Sequence, residues 1–198
     1  MSWARQIHLK SQAELQIMRD AGRINAEVLA TVRALLKPGV STADLNAAAE
    51  DVLRKHKCVS PFKGYGHPPF PTSIPVSINR ELAHGIPSKK RVLKEGDIAS
   101  IDCGTALNGL VADSAFTAGV GEISPEARNL LKVTEDALAA GIEKMRVGNR
   151  TGDVSAAIQK YVESHGYFVT REYTGHGVGR QMHEGPQLPN YGRAGTGL

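Results

Sequence analysis

The chain has 198 residues and a mass of 21.2 kDa, with 41% hydrophobic and 22% charged residues. That is enough apolar content for one substantial core, or two small lobes sharing one, and too much for a disordered chain. The net charge of +4 is mild, and no block of Lys and Arg marks a nucleic-acid arm, so RNA or ribosome contact is permitted but not argued for.

Cys58 and Cys103 stand in no CxxC or zinc-ribbon spacing, which reads as a reducing compartment. The N-terminal MSWARQIHLK lacks an apolar signal core, and no run approaches the roughly 18 apolar residues of a membrane span. A cytoplasmic protein is expected, with no membrane and no DNA partner.

In chain order, SQAE at Ser11 to Glu14 fits a capping box, and helical apolar spacing continues through Leu36 until Pro38-Gly39 stops it. A second helix starts near Ser41, with Asp44 in its first turn, and runs to about His56. Residues 59 to 75, rich in Pro, Gly and aromatics, read as loop. A strand is expected around Ser73 to Asn79. IASID and LVADSAFTA then flank Asn108-Gly109, the strongest short hairpin signal. A third helix begins at Ser124-Pro125-Glu126 and runs to Met145, and a fourth spans about Thr151 to His165.

The two helix pairs resemble each other at a shift of about 109 residues, most tellingly in a shared Gly-x-x-Thr-x-Asp frame at Gly39, Thr42, Asp44 and at Gly148, Thr151, Asp153. An internal duplication is the reading. An equal second half would extend to about residue 227, so the expectation is a chain that lacks a second hairpin.

Asp102 and Asp113 lie on either side of the Asn108-Gly109 turn, at offsets that can bring both carboxylates to one face of a hairpin. A carboxylate within IASID is costly to bury unless it is protonated, paired with Lys or Arg, or bound to a metal. Two exposed aspartates flanking a turn would give the same spacing. His84 in AHGIP and His176 in TGHGVG share a His-Gly step, and His183 follows in MHEGP. Any one of these could be an ordinary structural histidine. Together with two strand aspartates they form a donor set suited to divalent metals of intermediate hardness.

The glycines beside His176 point to a backbone pressed against something, whether metal, substrate or a tight turn. No GxSxG elbow, GxxxxGK[ST] loop or HExxH helix is present, and GHGVG is not the dinucleotide GxGxxG. Cys103 reads as a small buried strand residue.

At this point the residues resemble the type I methionine aminopeptidases, metal-dependent exopeptidases of the pita-bread fold. The resemblance is carried by YTGHGVGRQMHEGPQLPNY, SINRELAHGIP and GDIASIDCG, three blocks in the family's order, and by the interval from Asp102 to Asp113. It implies an α/β fold of two pseudo-symmetric halves around an antiparallel sheet, about 11–119 and 120–198 of a single domain 1–198, with the second half incomplete.

It further implies two divalent ions (Mn, Fe, Co or Zn) held by Asp102, Asp113 and His176. These ions activate water and polarise the scissile carbonyl. His183 would donate to the substrate carbonyl oxygen, and His84 would contact the scissile nitrogen and help protonate the leaving amine. The substrate implied is the initiator methionine of a peptide or nascent chain, with a small second residue preferred; the charge permits a transient ribosome contact.

Tyr65 and Phe70 are the candidates for an apolar methionine pocket, although plain loop packing accounts for them equally. The sequence departs from the family here: GYGHPPFP, which includes His67, replaces Gly-Tyr-His-Gly-aromatic-Pro, and Pro75 stands where many members carry Cys. The family also supplies two glutamate ligands from C-terminal strands, whereas Glu184 alone follows His183 and comes too early to match either. Weak or absent metal affinity and activity are therefore expected of the chain as it stands. The competing functions are an aminopeptidase P or prolidase-like exopeptidase, and a silent pita-bread module that binds ribosome or RNA.

Overall fold

The computed structural model describes residues 7–198; the first six residues of MSWARQIHLK lie outside the described residues. The chain forms two compact units, one of Leu9–Ser124 with Val178–Met182, the other including Pro125–Gly177 and His183–Leu198.

In the first unit, α1 (Gln12–Ala34) opens on the expected capping box: Ser11 Oγ accepts the Glu14 N–H at 3.3 Å, and the Glu14 carboxylate accepts the Ser11 N–H at 2.8 Å. Its buried stripe is Ala21, Asn25, Val28 and Val32, at helical spacing. Helix α2 (Thr42–Lys55) repeats the capping with Ser41 and Asp44.

Strands β1 (Val76–Ile78), β2 (Ile98–Leu107) and β3 (Leu110–Gly119) form an antiparallel sheet in that order. Asn108 and Gly109 take φ of 48° and 78° between the paired Leu107 and Leu110, as a two-residue turn of the I′ kind requires. The core combines Val28, Val32, Leu45, Ile74 and Ile101, all fully buried; each contributes on the order of 1.5–3 kcal/mol relative to exposure.

In the second unit, α3 (Pro125–Lys144) packs on α4 (Thr151–Ser164) so closely that a Cβ at Gly141 would lie 2.8 Å from the Ile158 side chain. The frame shared by the two helix pairs does the same work twice. Gly39 and Gly148 both have positive φ, of 90° and 96°. Asp44 and Asp153 each accept the N–H of the residue before the helix, at 3.0 and 2.7 Å.

Strands β4 (Thr174–Gly177) and β5 (Glu184–Pro189) were not expected from the sequence. Glycine-rich and short, they carry no strand propensity of their own and are defined by pairing with each other. No helix among the described residues is long and apolar enough to cross a membrane.

Candidate active site

Strand β2 alternates sides. Ala99, Ile101, Cys103 and Thr105 point into the α1 side and are fully buried, which sends Ser100, Asp102 and Gly104 to the other face. The register pairs Asp102 with Ala115 and Gly104 with Asp113, so the two aspartates are diagonal neighbours on that face. Gly104 leaves room beside Asp113, and a Cβ there would meet the Pro61 ring at 2.6 Å, so the loop that follows Ser60 walls this face.

The carboxyl of Asp102 is pushed up to about 7, first by burial and then by the Asp113 charge and a hydrogen bond that protonated Asp102 donates to that side chain, against a lowering contact with the Cys103 backbone. Two carboxylates brought together in a partly buried site cannot both ionise cheaply, which is why the Asp102 carboxyl is pushed up. A divalent cation in place of the Asp102 proton would remove the repulsion and find hard oxygen donors, so the pair fits a metal.

The strand pair itself is pinned from behind. Asn25, 1% exposed on α1, donates to the Cys103 carbonyl at 2.6 Å and to Thr105 Oγ1 at 3.3 Å, and accepts from Ser114 Oγ. Cys103 and Ser114 are the residues immediately following Asp102 and Asp113, and they pair with each other. Sequence reasoning missed Asn25; its signal was a polar residue at a core position of the α1 stripe. Burial pushes the Cys103 thiol up to about 12, which leaves it inert, as its reading as a buried strand residue anticipates.

In the second unit, the His176 and His183 rings lie with centroids 4.3 Å apart at 52°. His176 Nδ1 is 3.0 Å from the Gly177 carbonyl oxygen, which fixes one nitrogen and the ring orientation. The flanking glycines are explained by the opposite strand: a Cβ at Gly177 would lie 2.6 Å from the Gly185 oxygen, and one at Gly175 3.0 Å from the Leu188 oxygen. Neither has a positive φ, so close approach of the backbone, not a left-handed turn, demands glycine there. The residues between the histidines, Val178–Met182, belong to the first unit. There Gly179 accepts from the Val111 N–H at 2.8 Å and Arg180 pairs with Glu14.

His84 lies on the loop between β1 and β2, with φ of 59°. Tyr65 and Phe70 are joined by a backbone hydrogen bond of 2.8 Å across their loop, Tyr65 half-exposed and Phe70 half-buried. Among the described residues, no group of three or more His, Cys, Asp or Glu side chains is gathered closely enough to hold a metal ion.

Comparison with known proteins gives the class. The model of metallopeptidase family M24 matches residues 16–197, and the chain belongs to this family. The family is one of metal-dependent hydrolases, which implies divalent metal ions and peptide substrates.

Among its relatives, a methionine aminopeptidase of Clostridium acetobutylicum is 53% identical over 191 residues, 96% of this chain and 76% of that protein. The solved structure of a Thermotoga maritima methionine aminopeptidase aligns with a TM-score of 0.94 at 41% identity, covering 98% of this chain and 77% of that one. An Xaa-Pro dipeptidase from Bacillus anthracis aligns at 0.77 with 26% identity, covering 96% and 51%. The fold is the pita-bread fold expected from the sequence motifs.

Proposed function

We propose that the chain is a methionine aminopeptidase acting through Asp102, Asp113, His84, His176 and His183, and removing the initiator methionine from nascent proteins and peptides in the cytoplasm. The observation that carries this reading is the Asp102–Asp113 pair, two half-buried carboxyls that the register makes diagonal neighbours on one sheet face. In this reading Asp102, Asp113 and His176 would contribute ligands to two divalent ions, and the chain is one catalytic domain of two related halves. The bound ions supply Lewis acidity toward the scissile carbonyl and lower the pKa of water.

The remaining roles fall to side chains. His183 donates to the carbonyl oxygen as negative charge develops on it. His84 faces the scissile nitrogen and delivers the proton that the leaving amine needs. Tyr65 and Phe70 offer aromatic surface to the methionine side chain, and the half-exposed state of Tyr65 leaves that surface available.

Identity of 53% with a methionine aminopeptidase, against 26% with the Xaa-Pro dipeptidase, supports methionine over proline chemistry. A peptide panel tests this: turnover, expected to be weak with only three of the family's ligands, should release methionine from Met-Ala-Ser and leave Ala-Pro-Ser intact. Preferential cleavage before proline would overturn the reading.

A further inference from the structure

We infer that Arg91 is the positioning residue for His84: its guanidinium brackets both ends of the short loop that displays this imidazole. The inference rests on the catalytic reading of His84 given above.

His84 occupies the left-handed region, φ 59°, where a non-glycine residue is held at a cost of on the order of 1 kcal/mol and persists only if its surroundings fix it. Its neighbour supplies part of the fixing. The Val76 N–H donates to the Gly85 oxygen at 2.8 Å, and the Gly85 N–H donates to Ser77 Oγ at 3.1 Å. A Cβ at Gly85 would lie 2.2 Å from the Val76 oxygen, so the His-Gly step is the only one that lets the loop lie down on β1.

Arg91 closes this arrangement. Its Nη1 donates to the Val76 oxygen at 3.0 Å and to the Ile86 oxygen at 2.7 Å, and its Nη2 pairs with Glu81. Glu81 accepts the Ile78 N–H at 2.8 Å through the same oxygen. One guanidinium therefore joins the start of β1, the turn that follows it and the residue two past His84. The planar fork of arginine can span these acceptors, and an ammonium cannot.

The bracket is itself anchored. The Thr42 N–H donates to the Arg91 carbonyl at 2.8 Å, and Ser88 and Thr42 exchange hydrogen bonds of 2.9 and 3.1 Å, so Arg91 leaves a backbone fixed on the first turn of α2. With its side chain only 23% exposed, the arginine is held in place before any substrate arrives.

The test combines amide exchange with kinetics on the full chain, using Arg91→Ala, Arg91→Lys and Glu81→Gln. Glu81→Gln keeps an acceptor for Ile78 and removes only the charge, so it stands in if Arg91→Ala does not fold. Exchange of the Val76 and Gly85 amides is expected to accelerate at least ~10-fold in Arg91→Ala, less in the other two, while amides of the β2–β3 ladder keep their protection.

Turnover of Met-Ala-Ser should fall by ~10–100-fold in kcat with KM little changed, the scale expected of a misplaced catalytic group. Adding Arg91→Ala to His84→Ala should cost nothing further. Unchanged exchange at Gly85, a uniform acceleration across the ladder, or additive kinetics in the double variant would each overturn the inference. If His84→Ala retained full turnover, the reading on which the bracket depends would fall, whatever the exchange data showed.

Discussion

Replacing Asn25 with alanine tests how the aspartate-bearing hairpin is held. The native amide is 1% exposed and makes three hydrogen bonds, to the Cys103 carbonyl, Thr105 Oγ1 and Ser114 Oγ. A buried hydrogen bond contributes about 1 kcal/mol net, and a partner stranded without water costs about 1–3 kcal/mol. Thr105 is itself fully buried, so its hydroxyl cannot turn to solvent, whereas Ser114 can.

The loss should therefore come to about 3 kcal/mol. For a chain of this size that corresponds to a fall in midpoint temperature of about 6–12 °C. Urea unfolding followed by circular dichroism measures it. Ser114→Ala alone should cost about 1 kcal/mol, and nothing further in the Asn25→Ala background. A loss below about 1 kcal/mol, or additive effects of the two substitutions, would show that the amide does not tie α1 to the strands.

Further outcomes follow from the same geometry. The folded pKa of Asp102 is raised from 3.8 to about 7, so the folded metal-free chain keeps a proton that the unfolded chain has released across that interval. Stability from this group is therefore greatest at acid pH and declines between about pH 4 and 7, with a slope approaching about 1.4 kcal/mol per pH unit. Subtracting the pH profile of Asp102→Asn from that of the parent isolates this slope, and parallel profiles would refute it.

Gly177→Ala puts a methyl group 2.6 Å from the Gly185 oxygen. It should destabilise by about 1–3 kcal/mol and shift the His176 and His183 ring signals in NMR spectra. Asp44→Ala and Asp153→Ala remove equivalent capping carboxylates. Each should lower the midpoint of denaturant unfolding, Asp153→Ala the more because Asp153 also accepts the Gly195 N–H at 2.8 Å, and an unchanged midpoint in either would show that its cap does not hold the helix start.

Much of this architecture was written locally. Ser11-Glu14 and Ser41-Asp44 announce helix starts because the cap is made within four residues. Asn108-Gly109 announces the hairpin because few other pairs accept two positive φ values. Once the turn is known, the diagonal pairing of Asp102 and Asp113 follows from the two-residue pleat.

The features that escaped depend on partners far along the chain. Strands β4 and β5 exist because glycines let two backbones approach, and GHGVG carries no alternating pattern to signal it. Asn25 was readable as a polar residue in an apolar stripe, but its acceptors lie about 80 residues away. Arg91 gave no local signal, since its acceptors are loop carbonyls that only the folded chain brings together.

The most direct measurement of the central claim is the initial rate of methionine release from Met-Ala-Ser as Mn(II) is titrated into the metal-stripped chain, with Asp102→Ala alongside. Weak release that rises with Mn(II) in the parent and is lost in the variant is the expected result. Release that ignores the metal, or that survives Asp102→Ala undiminished, would contradict it.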